Sequence, residues 1–118
     1  MKRRVVMDRV FAEGEMAKGF PLIARYVRVP PDGPAPTRVA FTVSKKRLRK
    51  AVHRNRVKRL MREMWRNHRS AFESTLPPDT QCAVVLIFVG KDLPSAAELE
   101  RGMVKLLGRM TAAASDNA

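Results

Sequence analysis

Hydrophobic positions along this chain change their period several times, and each change marks an element. Residues 4–13 place Met7 and Phe11 one turn apart, the spacing of a short amphipathic helix that Gly14 stops. From Phe20 to Val29 the chain is strand-like, with polar residues alternating toward its end and Pro21 suited to an edge or to the strand's beginning. The prolines and glycine of Pro30 to Pro36 exclude both helix and ladder and mark a loop. Thr37 to Ser44 then alternates Val39, Phe41 and Val43 with Arg38, Ala40 and Thr42, a second strand. The two strands read as a hairpin.

Between Lys45 and Leu76 there is neither glycine nor proline, and the middle of this stretch is expected to form the longest helix. At 100° per residue, Val57, Leu60, Met61, Met64 and Trp65 share one arc and make the core-facing stripe. The opposite arc carries Asn55, Lys58, Arg59, Arg62 and Arg66. Pro77-Pro78-Asp79 ends the unit, and Gln81 to Val89, apolar on both faces and rich in β-branched residues, reads as a central strand. A last helix opens with the capping box Ser95 to Glu98 and buries Leu99, Met103, Leu106, Leu107 and Met110, leaving a frayed tail over 111–118. The expected order is helix, strand, strand, helix, strand, helix. That is the α+β class, a single-domain two-layer sandwich over 1–118 with one sheet packed against helices.

A chain of 118 residues with 45% hydrophobic residues has enough apolar material for one modest core. Its 24 Lys and Arg against 11 Asp and Glu leave a net charge of +13, which calls for an anionic partner. How that charge is distributed decides which partner. Half of the Lys and Arg residues lie between Lys45 and Arg69, where Glu63 is the only acid. A merely solvated helix face gains from alternating signs, whereas like charges one turn apart repel. Phosphates along a nucleic-acid backbone would neutralise such a column and release counterions. A membrane surface fits less well, because Val57, Leu60, Met61 and Met64 are needed to hold the helix to the sheet and are not available to lipid.

Enzyme machinery is sparse. His53 and His68 are too far apart for one helix turn and have no cysteine or carboxylate at metal-ligand spacing. Ser44 and Lys45 are neighbours on a strand and point to opposite faces, so they make a poor dyad. Cys82, the only cysteine, sits in an apolar strand and reads as a small core residue. Gly14 and Gly33 stand alone and make no phosphate loop. With one cysteine there is no intramolecular disulfide, and the basic opening Met1 to Met7 is interrupted by Asp8 and Arg9 before an apolar region develops. A cytoplasmic location is expected.

Val43-Ser44-Lys45-Lys46, followed by Lys50-Ala51-Val52-His53-Arg54-Asn55-Arg56-Val57-Lys58-Arg59-Leu60-Met61-Arg62-Glu63, resembles the signature of the protein subunits of bacterial ribonuclease P. Val10 to Gly14 and Asp79 to Gly90 extend the similarity in both directions. The resemblance implies a subunit that binds a catalytic RNA and the 5′ leader of precursor tRNA, with the RNA and its magnesium performing the hydrolysis and no catalytic residue or metal in the chain itself. It also implies a left-handed crossover through the basic helix, against the usual right-handed preference. It maps the family's RNA-contacting helix onto Arg54, Asn55, Arg56, Lys58, Arg59 and Arg62, and the charge pattern adds Lys45, Lys46, Lys50 and Arg66 to the RNA-binding set. Leader binding falls to Phe11 and Met7, although Met7 stands where the family usually has an aromatic. Arg47-Leu48-Arg49 is one residue longer than the family's usual turn and lacks its glycine. The alternative is a non-catalytic RNA-binding or ribosome-associated protein of similar fold.

Overall fold

The computed structural model describes residues 14–116; the expected first helix, with Met7 and Phe11, lies outside the described residues. The order is β1 (Glu15–Gly19), β2 (Leu22–Val29), β3 (Thr37–Thr42), α1 (Ala51–His68), α2 (Ser70–Glu73), β4 (Gln81–Phe88) and α3 (Ala96–Asp116). The expected α+β sandwich is present, with one four-stranded sheet in the order β1-β2-β4-β3.

Two parts of the expected topology are corrected. Glu-Met-Ala-Lys favours helix by propensity, yet β1 is a strand, and the actual hairpin joins β1 to β2 with Gly19 opposite Leu22. What fixes this strand is packing: Ala17 and Gly19 are buried, and the backbone of β1 runs close against α3. A Cβ at Gly19 would overlap the carbonyl oxygen of Gly102, and one at Gly102 would sit 2.6 Å from the carbonyl oxygen of Gly19. Gly102→Ala is therefore expected to lower stability by roughly 1–3 kcal/mol, because backbone rather than a flexible side chain stands in the way. Chemical denaturation would show it as a lower midpoint with an unchanged slope.

The second correction concerns β2 and β3, which do not pair with each other. β4 lies between them, antiparallel to β2 and parallel to β3. A strand apolar on both faces is best buried with a neighbour on each side, and β4 takes that central place. The loop after β2 is stitched to the start of β4 instead of turning back: Gln81 Nε2 donates to the Ala35 carbonyl at 2.9 Å, and the Cys82 N–H donates to the Pro36 carbonyl at 3.0 Å. β3 is thereby laid along the far side of β4.

The main core lies between the sheet and the helices. Leu22 and Ala24 from β2, Cys82, Val84, Leu86 and Phe88 from β4, and Leu99, Met103, Leu106 and Met110 from α3 all meet there. The α1 stripe joins them, with Val57, Met61, Met64 and Trp65 buried and Leu60 half-buried. Phe72 of α2 closes that end of the core through edge-on contacts with Trp65, at 6.5 Å between centroids, and with Tyr26, at 6.1 Å. Burial pushes the Cys82 thiol up to about 12, in keeping with its reading as a core residue. The other sheet face carries a smaller apolar group, Val29, Ala83 and Val85.

At the end of the chain, Ser95 Oγ accepts the Glu98 N–H at 3.2 Å, the capping contact expected for α3. The helix then runs through Asp116, which makes α3 rather than α1 the longest helix among the described residues. Its added turns are rich in alanine, the strongest helix former.

Candidate nucleic-acid interface

The segment that leads into α1 is a built turn. Ser44 accepts N–H groups from Arg47 and Leu48 on its carbonyl oxygen, and its hydroxyl oxygen faces the Arg47 N–H at 3.3 Å. Ser44 is thus a turn-forming residue, with no dyad to Lys45. Leu48 buries its side chain in the core. On either side of that plug, Lys45, Lys46, Arg47, Arg49 and Lys50 are exposed.

Arg54 holds the turn in place. One of its guanidinium nitrogens, Nη1, donates to the carbonyls of Leu48 at 2.9 Å and Arg49 at 2.7 Å. Arg47 Nη1 donates to the Val89 carbonyl at 3.1 Å, tying the same turn to the end of β4. Arg54, expected among the RNA contacts, has a structural task at the least. No acidic residue occupies the first turn of α1, and its N-cap, Lys50, makes no side-chain cap. Cations gathered at a helix N-terminus oppose the helix dipole, an arrangement that a bound phosphate would relieve.

Along α1 the faces divide as the periodicity requires. Asn55, Arg56, Arg59, Arg62 and Arg66 are exposed, while Arg54 and Lys58 are half-buried. Among the described residues Arg38 pairs with Asp32 and Arg69 with Glu73, His68 lies against Glu100, and none of these contacts involves the candidate set. Arg62 instead lays its guanidinium over the Phe41 ring, 5.5 Å from the centroid, which steadies the side chain and leaves its charge uncancelled. The structure therefore brings Lys45, Lys46, Lys50, Asn55, Arg56, Lys58, Arg59, Arg62 and Arg66 onto one helix and the turn before it.

Val52 and Leu93 were not among the expected site residues. They line a cleft of about 520 Å³ with His53, Asn55, Arg56 and Arg59. Val52 lies within the quoted signature and is one turn from Asn55 and Arg56, which is a local signal. Leu93, in the segment between β4 and α3, has none.

Other chemistry stays dispersed. His68 Nε2 lies 3.4 Å from Glu100 Oε1, on the far end of α1 from His53. Among the described residues no three His, Cys, Asp or Glu side chains gather as a metal-binding group.

The family model for Ribonuclease P matches residues 1–111. The chain belongs to the ribonuclease P protein family. A ribonuclease P protein component from Porphyromonas gingivalis is 33% identical over 105 residues, covering 88% of this chain and 77% of that protein. One from Chlorobaculum tepidum is 41% identical over 76 residues, covering 62% of this chain and 49% of that protein. Among solved structures, the RNase P protein of Staphylococcus aureus matches with a TM-score of 0.70 at 18% identity, covering 92% of each chain. That of Thermotoga maritima matches with a TM-score of 0.62 at 22% identity, covering 95% of this chain and 94% of that one. At such identities the solved structures speak for the fold, and the family model and sequence relatives speak for the family. Ribonuclease P is an endoribonuclease ribonucleoprotein, and membership gives the chain a protein subunit's role in tRNA 5′ processing, in partnership with RNA. Family membership decides against the alternative of a non-catalytic RNA-binding or ribosome-associated protein of similar fold outside this family.

Proposed function

We propose that the chain fills this role by binding two RNAs, the catalytic RNA of ribonuclease P and the 5′ leader of precursor tRNA. The observation that carries the proposal is the row of exposed cations on α1 and its leading turn, none paired with a carboxylate among the described residues. Lys45, Lys46 and Lys50 on the turn, and Arg56, Lys58, Arg59, Arg62 and Arg66 on the helix, take phosphates. Asn55 offers an amide among them, and Arg54 acts mainly by holding the turn through Leu48 and Arg49. Leader contacts fall to Phe11, by stacking, and to Met7.

The hydrolysis belongs to the RNA, and so does the magnesium. In this chain Ser44 serves its turn, Cys82 is buried with its thiol held protonated, and His53 and His68 stand apart. The donor set of the described residues does not fit a resident metal ion, since carboxylates, histidines and thiol are scattered and the exposed face of α1 is cationic. A site in the cytoplasm, where tRNA precursors are made, suits this reading; among the described residues no helix is long and apolar enough to cross a membrane.

The test is reconstitution. RNA-free protein is incubated with precursor tRNA, alone and with a bacterial ribonuclease P RNA, at magnesium too low for the RNA to act efficiently by itself. Leader release is expected only when both components are present. Cleavage by the protein alone would remove the assignment of catalysis to the RNA.

A further inference from the structure

Val52 is 70% exposed and Leu93 41% exposed, two large aliphatic side chains left in water at the edge of a strongly cationic surface. Val52, Asn55, Arg56 and Arg59 recur at the i, i+3, i+4, i+7 spacing that aligns side chains on one helix face. Leu93 approaches that face from the segment between β4 and α3, and the open cleft between them has a volume of about 520 Å³. No carboxylate lines it. The cleft therefore combines an apolar floor, the His53 imidazole, an amide and two guanidinium groups.

Phosphate binding alone does not account for the floor. An A-form duplex presents its phosphates in rows while its bases stay stacked inside, so it would engage Arg56 and Arg59 and leave Val52 and Leu93 against water. An unstacked nucleotide uses every part. Its base has a flat apolar face for the two aliphatic side chains and the His53 ring, an edge with donors and acceptors for the Asn55 amide, and flanking phosphates for Arg56 and Arg59. We propose that the cleft between the Val52 face of α1 and Leu93 is a nucleobase pocket that takes one unpaired base of a bound RNA strand. The pocket rests on the reading of this face as an RNA interface and adds a requirement for a single-stranded nucleotide at this point. Asn55 can pair two-pronged with adenine, so an adenine is the preferred occupant.

Three probes separate the contributions: hexaadenylate, a ribose-phosphate strand of the same length without bases, and a short A-form RNA duplex. Methyl resonances of Val52 and Leu93 in the wild-type protein report the base directly, because a ring lying on them shifts them upfield. The shift is expected with hexaadenylate and not with the baseless strand. The double change V52S/L93S, at two exposed positions, is expected to weaken hexaadenylate binding roughly tenfold, the size of one stacked base, and to leave duplex binding unchanged. R56Q/R59Q should weaken all three. If the methyl resonances stay put while hexaadenylate binds, or if V52S/L93S weakens duplex and single strand equally, the pocket is overturned and the RNA interface stands. If R56Q/R59Q changes none of the three affinities, the interface itself falls, and the pocket with it.

Discussion

Met61→Ala is expected to destabilise the protein by about 2–5 kcal/mol, the range for truncating a fully buried methionine. Met61 is completely inaccessible and lies in the middle of the α1 stripe, between Val57 and Met64, in the core shared with β4 and α3. Truncation leaves a cavity that neither the sheet nor α3 can close without moving. Met61→Leu keeps most of the volume and should cost less than about 1.5 kcal/mol. Equilibrium denaturation of the two variants checks both values. Equal and negligible losses would mean that α1 is not anchored through this stripe, and the assignment of its opposite face to RNA would lose its structural basis.

That stripe was legible because it is local. Val57, Met61, Met64 and Trp65 declare a buried arc by spacing alone, and the exposed arc follows by geometry, which is why the candidate residues of α1 could be named from sequence. β4 was legible for a similar reason, since an apolar run of eight residues on both faces fits only a central strand. Its partners were not legible in the periodicity, and only the crossover implied by the family resemblance pointed to β3. Pairing β4 with β3 depends on contacts across the whole of α1, and the chain offers no local mark of them beyond the failure of the proline-rich loop to form a tight turn. β1 was hidden by composition, because Glu, Met, Ala and Lys favour helix, whereas the pairing with β2, the burial of Ala17 and the close approach of Gly19 to Gly102 exist only in the folded chain. The same distinction holds at the site. Lys58 and Arg62 announce themselves, whereas the anchoring of the turn by Arg54 and the meeting of Val52 with Leu93 exist only after folding.

Exchanging Lys58 and Arg62 together for Gln is expected to leave the fold intact and to damage RNA binding. Neither side chain belongs to the buried stripe, Arg62 being exposed and Lys58 half-buried, and removing like charges from one helix face relieves repulsion. Arg62 gives up its contact with Phe41, a loss of about 0.5–1 kcal/mol at an exposed position. The control pair is Arg101 and Lys105, both exposed on α3. Arg109 is unsuitable as a control because its Nη1 donates to the Lys18 carbonyl at 2.7 Å.

The central claim is that the exposed face of α1 neutralises RNA phosphates, and the dependence of affinity on salt measures this most directly. Binding of ribonuclease P RNA is followed across a salt series for the wild type, K58Q/R62Q and R101Q/K105Q, with thermal unfolding recorded alongside. If Lys58 and Arg62 each neutralise one phosphate, the slope of log affinity against log salt should flatten by about 1.4–1.8 in K58Q/R62Q, at about 0.7–0.9 per contact. R101Q/K105Q should retain nearly the wild-type slope. Equal slopes for the two variants would contradict the claim, since positive charge would then act diffusely over the surface and α1 would hold no privileged place in the complex.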